Sequence, residues 1–174
     1  MKQLLLLNPE KASEKEVKNY RIREAARAVV VDKDGMIALL YISKEDCYKL
    51  PGGGLEGAED KITALQRECK EETGCDIEIV NEIGSIVEYR KGSSFKQISY
   101  CYLVKVKGQK GISNFTEKEL QEGFKTVWLP YSEAKQVLSE SKTRDFEINA
   151  YRLPREKALL EEVKNYLNRN SNIT

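Results

Sequence analysis

The stretch PGGGLEG, at positions 51–57, constrains this chain more than any other. Glycine reaches backbone conformations that other residues avoid and brings no side chain to obstruct a neighbour. Gly52, Gly53, Gly54 and Gly57 therefore mark a loop that turns sharply or lies close to something bound. The segment before it, CYKLP, reads as a short strand or extended piece. The segment after it has a helical pattern over 60–73, and Gly74 is a natural helix stop. A strand, a glycine loop and a capped helix must follow one another here.

The helix carries RECKEETG, at positions 67–74. At the rotation of an α-helix, Glu68, Glu71 and Glu72 fall within an arc of about 100°. Ala64 lies in the same arc, and its small side chain leaves room for a partner to approach. Leu65, Cys69 and Ile62 form an apolar stripe beside it. A solvated charged face would explain this pattern, because like charges on an exposed helix cost only ~0.2–0.5 kcal/mol per pair. In a cleft, carboxylates ~6 Å apart repel by roughly 3 kcal/mol at an effective dielectric of ~20. They would then need cations, and hard cations such as Mg²⁺ take carboxylate and phosphate oxygens together. The chain contains no histidine, so acid–base and metal chemistry fall largely to carboxylates.

GGGLEG also fits the dinucleotide pattern G-x-G-x-x-G, but that fold needs a second parallel strand after the helix. Hairpin-linked strands follow instead. Gly57 is followed by Ala58-Glu59 and not by Lys-Ser/Thr, so the phosphate-binding P-loop is excluded. Elsewhere, AARAVVV (25–31) and MIALLYI (36–42) read as antiparallel strands joined at Asp34-Gly35. DIEIV and IGSIVEYR read as two strands, KQISYCYLVKV (96–106) as a long one, and FKTVWLP (124–130) as another. A short helix is expected from Ser13 to Tyr20, a loose segment over 108–123, and a helix from Ser132 as N-cap. A C-terminal helical segment spans about 142–170, with Pro154 near a helix start. Its stripe of Leu159, Leu160, Val163 and Leu167 is packing surface for this core or for a second subunit, and so allows a homodimer. Strands in the middle flanked by helices predict a mixed sheet sandwiched by helices.

Composition narrows the partners. The 174 residues carry 29 Lys and Arg against 28 Asp and Glu, a net charge of +1. That balance gives no basis for a stable duplex nucleic-acid partner. The four cysteines show no C-x-x-C spacing, which fits buried, reduced thiols of a cytoplasmic protein. Four apolar residues in MKQLLLLNPEK are too few for a signal-peptide core or a membrane span. The sequons at Asn114 and Asn172 are then accidental.

Loop and helix together spell a longer pattern. Gly53, Glu59, Arg67, Glu68, Glu71, Glu72 and Gly74 fill every fixed position of G-x5-E-x7-R-E-U-x-E-E-x-G-U, with Cys69 and Cys75 at the apolar positions. The chain resembles the Nudix hydrolases. The resemblance implies a single Nudix hydrolase domain over 1–174, with its box at 53–75. It implies an α/β/α sandwich with a mixed β-sheet, and Mg²⁺-dependent (or Mn²⁺-dependent) hydrolysis of a nucleoside diphosphate linked to another moiety. It implies that Glu68, Glu71 and Glu72 bind metal, with the Gly52 carbonyl as a further ligand. Arg67 and Glu59 would hold the loop and orient Glu68. The family often adds a carboxylate before a later Trp-bearing strand, for which LQEGFKTVW offers Glu122, with Glu119 second. Glu68, Glu71 and Glu122 are all candidates for the general base.

Specificity lies outside the box. Tyr48 is placed to stack on a base, as are Phe95, Tyr100 and Tyr102 if their faces turn to the cleft, although Tyr100 and Tyr102 would equally suit the sheet core. Arg23 and Arg27, near the first strand, would meet phosphates or else serve as solvated surface charges, and Gly53 and Gly54 would let the backbone approach the substrate. Trp128 is expected in the core. Three functions follow: a MutT-like pyrophosphohydrolase giving NMP and pyrophosphate from a (d)NTP or modified nucleotide; hydrolysis of a nucleotide sugar, ADP-ribose or capped RNA end; or a nucleotide-sensing module without turnover. The intact box argues against the last.

Overall fold

The computed structural model of the chain describes residues 1–141 and 143–170, with side chains as far as residue 165. Its framework starts from the turn at Gly35, which has φ +77 and donates its N–H to the Asp32 carbonyl. This turn joins β2 (Arg21–Val31) to an antiparallel β3 (Ile37–Ile42). Beyond the turn, β2 leaves β3 and pairs along its whole length, in parallel, with β7 (Phe95–Lys107). Its other edge takes β5, the glycine run Gly52–Gly54, opposite Ala25, Ala26 and Arg27. The backbone of the glycine loop is thus pinned to the centre of the sheet.

The remaining strands are β1 (Gln3–Leu7), β4 (Cys47–Lys49), β6 (Asp76–Arg90) and β8 (Phe124–Leu129). They complete an eight-stranded mixed sheet in the order β1-β6-β7-β2-β3-β4, with β5 on β2 and β8 on β3. The helices are α1 (Glu14–Val17), α2 (Lys61–Thr73), α3 (Glu117–Glu122), α4 (Tyr131–Glu140) and α5 (Leu153–Asn170). A π-helical turn, Ile148–Arg152, runs directly into α5.

Side chains alternate across a strand, and β2 sorts itself accordingly. Ala26, Ala28 and Val30 pack with Ala64, Leu65 and Cys69 of α2 on one face. Val29 joins Leu138 of α4 and Leu159, Leu160 and Val163 of α5 on the other. The result is the expected α/β/α arrangement. Leu159, Leu160 and Val163 of the α5 stripe pack into this chain's own core; the side chain of Leu167 lies outside the described residues, as do Lys142 and the Asn172 sequon. All four cysteines are buried and unlinked.

The structure corrects several sequence expectations. DIEIV and IGSIVEYR form one strand, β6, because irregularities between Ile79 and Asn81 and between Glu82 and Gly84 absorb the break without ending the pairing with β7. LLLL in the N-terminal segment is part of β1, parallel to β6. The loose segment 108–123 contains α3, started by Thr116 and Glu119 in a reciprocal capping box. Helix α4 has Pro130 at its N-cap, so Ser132 sits inside its first turn. Trp128 is partly buried, with the Lys110 ammonium 3.7 Å above its ring. No helix among the described residues is long and apolar enough to cross a membrane.

Candidate active site

Helix α2 is fixed at both ends. Asp60 accepts from the N–H groups of Ile62 and Thr63, at 2.8 and 2.9 Å, which satisfies two of the orphan donors of the first turn. Gly74 ends the helix at φ +71, where a Cβ would lie 2.5 Å from the Gly111 carbonyl carbon. Between these stops, the apolar stripe faces the sheet. That orientation carries Glu68 and Glu72 to the glycine loop.

Glu72 is 2% exposed. Its carboxylate accepts from the Gly52 N–H at 2.6 Å and from the Lys49 ammonium at 2.7 Å. Burial pushes its pKa up, and the Lys49 charge opposes the rise. Glu68 lies directly against Gly53, where a Cβ would sit 2.1 Å from Glu68 Oε1. Only glycine permits that approach. Arg67 then ties helix to loop: it donates to Glu59 at 2.7 Å, Glu68 at 3.0 Å, Glu71 at 3.2 Å and the Gly54 carbonyl at 3.1 Å. Glu59 in turn accepts from the Glu56 N–H. The Arg67 guanidinium holds Glu59 below the usual carboxylate range.

Glu68 and Glu72 border a cleft of 430 Å³. Glu68, Glu72 and the three glycines form one side, and Arg23, Arg27 and Lys49 complete it. Arg27 is 6% exposed; one of its terminal nitrogens donates to the Gly52 carbonyl, while its Nε has no partner. Burial, and then the nearby Arg155 charge, lower its pKa to about 10.

Of the residues expected from the sequence, Gly52, Gly53, Gly54, Arg27, Glu68 and Glu72 meet at this cleft. Glu71 is turned to Arg67, 41% exposed, and is not among the residues bordering the cleft. Glu122 faces Lys118 at 3.9 Å; the second choice, Glu119, borders the cleft instead, because α3 turns that face inward. Tyr48 stacks on Tyr41, with ring centroids 5.0 Å apart, and packs on the core. Tyr100 packs on the α2 face of the sheet and donates to Glu24 at 2.5 Å. Neither tyrosine borders the cleft, and among the described residues no aromatic side chain does; Phe95 lines a cavity beside it. Ala64 is buried between α2 and the sheet, so it opens no path to the carboxylates. Sequence reasoning missed Lys49, which touches Glu72 from 23 residues away. It also missed Glu156, which accepts from the Leu50 N–H at 3.3 Å and so ties α5 to the strand leading into the glycines. Neither contact has a local sequence signal.

Among the described residues no three acidic or thiol groups form a ready-made metal cluster. Lys49 and the Gly52 N–H occupy Glu72, and Arg67 occupies Glu68. The donor chemistry nevertheless fits a hard divalent cation: Glu68, Glu72 and the Gly52 carbonyl supply only oxygen. A buried carboxylate already paired with a cation also suits replacement of that cation by a metal.

Residues 21–151 match the family model described as NUDIX domain, and the chain belongs to that family. It is a Nudix hydrolase acting on nucleoside diphosphate derivatives. Among curated proteins it is similar to the RNA pyrophosphohydrolase of Pelagibacter ubique (strain HTCC1062), with 27% identity over 86% of this chain and 96% of the relative. Among solved structures it is similar to the C. elegans Ap4A hydrolase, with TM-score 0.59 and 18% identity over 84% of this chain and 99% of that one. It is also similar to a MutT NUDIX hydrolase from Burkholderia pseudomallei, with TM-score 0.58 and 18% identity over 82% and 98%. At these identities the structural likeness concerns the fold.

Proposed function

We propose that the chain, as one domain over 1–174, is a cytoplasmic, divalent-metal-dependent pyrophosphohydrolase of nucleoside polyphosphates, releasing NMP and pyrophosphate from a (d)NTP or modified nucleotide. One observation carries this reading: a single cleft sets the Glu68 and Glu72 carboxylates beside Arg23, Arg27 and Lys49. Carboxylates suit a cation, and guanidinium forks suit phosphate oxygens. A phosphate chain laid across the cleft meets both.

Glu68, Glu72 and the Gly52 carbonyl would hold the metal, with Glu71, one turn along α2, as the further carboxylate of the set. Mg²⁺ or Mn²⁺, when bound, neutralises phosphoryl charge and acidifies a coordinated water. Arg67 and Glu59 position Glu68 by fixing the loop. Arg27 and Arg23 orient the phosphate chain, since phosphoryl transfer depends on positioning and charge stabilisation more than on covalent help. Glu119 or Glu122 adds a further carboxylate. The specific relative named RNA pyrophosphohydrolase favours a second reading, removal of pyrophosphate from an RNA end.

The test is a panel of nucleoside triphosphates, oxidised nucleotides, nucleotide sugars, dinucleoside polyphosphates and 5′-triphosphorylated RNA, with Mg²⁺ or Mn²⁺. Pyrophosphate release from a member bearing three or more phosphates is expected. Glu68→Gln, Glu71→Gln and Glu72→Gln should each lower kcat by about 10²-fold with the fold retained, in line with removal of a group that stabilises transition-state charge. Full activity in all three variants would remove this assignment.

A further inference from the structure

A second cavity, of 220 Å³, adjoins the carboxylate cleft and shares Arg23, Arg27 and Lys49 with it. Arg23 and Arg27 lie two turns of the pleat apart on the side of β2 that Val29 also faces, toward α5. There the wall is completed by Arg90 of β6, Phe95 and Gln97 of β7, and Arg152 and Arg155 at the entry to α5. Among the described residues no carboxylate borders this cavity.

Part of this charge is structural. Arg155 pairs with Glu88 and Glu156, each at 2.7 Å. Arg90 pairs with Glu88 at 2.5 Å and with Glu147, and Arg152 pairs with Glu45. Arg23 and Arg27 are different. Among the described residues Arg23 is held by Gln97, at 2.5 Å, and Arg27 by the Gly52 carbonyl. These are neutral acceptors, and neither arginine forms an ion pair. Arg27 is 6% exposed, yet its Nε has no partner. A buried guanidinium with no directly paired carboxylate, and with a second arginine close by, is completed by an added anion.

We infer that this cavity is an anion subsite that takes a phosphate group beyond those held at the carboxylates, so that the enzyme selects substrates with a chain of three or more phosphates. The inference rests on the polyphosphate reading above and names which part of the substrate the basic wall holds. Guanidinium groups meet phosphate oxygens bidentately, and Arg23 and Arg27 stand where the two cavities join. A nucleotide sugar would set a neutral ring against this wall and leave its charge unmatched.

Inorganic tripolyphosphate, titrated calorimetrically into the full chain in EDTA, isolates the basic wall, because without divalent cations the carboxylates repel the probe. The wild type should bind. Arg152→Gln and Arg23→Gln should each weaken binding about tenfold, the loss of one charge-assisted contact; Arg152→Lys should recover part of it. Lys125→Gln, an exposed lysine on β8, should bind as the wild type does. If Arg152→Gln fails to fold, Arg23→Gln, at the exposed start of β2, decides the matter. No binding by the wild type, or equal weakening by Lys125→Gln, overturns the subsite. Hydrolysis of nucleotides without tripolyphosphate binding would remove the subsite and leave the enzymatic reading. Binding lost in the arginine variants, with no turnover on any substrate, would keep the subsite and remove that reading.

Discussion

A carboxylate as buried as Glu72 is an unstable possession for a protein. Burial favours its protonated form, and only the Lys49 ammonium and the Gly52 N–H offset that. Lys49 therefore stands in for positive charge that a metal would also bring. Lys49→Met should lose about 3 kcal/mol in EDTA, as expected when one member of a buried pair is removed. Added Mg²⁺ should then raise its Tm more than it raises that of the wild type. Equal shifts in a thermal melt would show that lysine and metal do not compete for Glu72. At this scale the sequence was informative about charge on one helix. Glu68 and Glu72 share a patch by helical periodicity alone, whereas the partner that tames Glu72 sits on a different strand, and no periodicity reports it.

At the scale of elements, boundaries were legible wherever one residue type leaves a single conformational choice. Asp60 and Gly74 frame α2, and Asp34-Gly35 turns β2 into β3. Elements were missed where tertiary pairing overrides local pattern: β1 exists because β6 offers an edge, and β6 stays whole because β7 tolerates its irregularities. Helix α3 was within reach, since Thr116 followed by Glu119 is a capping-box signature. Gly74 does double duty, ending α2 and letting the Gly111–Ile112 backbone approach. Gly74→Ala meets both an unfavourable φ and a contact of 2.5 Å. It should destabilise by about 1–3 kcal/mol, read as a lower urea midpoint, while Gly108→Ala, with positive φ but open space around its Cβ, should be milder. Equal losses would mean that the close approach adds nothing.

For the molecule as a whole, Glu88 binds distant parts of the chain. It is fully buried on β6 and meets Arg155 from α5. Burial alone would raise its pKa, but the Arg155 and Arg90 charges outweigh burial and hold it below the usual range. Glutamate in the unfolded chain titrates near pH ~4.3. As acid is added, the unfolded chain therefore takes up the proton first. The stability from this group is complete above about pH 4.3 and is lost as pH falls toward its folded value. Urea midpoints should drop on acidification, and Glu88→Gln, less stable at neutral pH, should drop less steeply. Parallel profiles over roughly pH 3 to 5 would exclude Glu88 as a source of the acid sensitivity. Such a contact spans 67 residues, which is why charge counting on the sequence could suggest neither it nor the basic wall it supports.

The family match stops at Tyr151, and Arg152 and Arg155 come immediately after. The proposed phosphate wall is thus assembled from both sides of that boundary, with Arg23, Arg27, Lys49 and Arg90 before it and two arginines after it. Exchanging the segment from Arg152 onward between homologues would swap two of the wall's guanidinium groups and, through Glu156, the tether on the strand before the glycines.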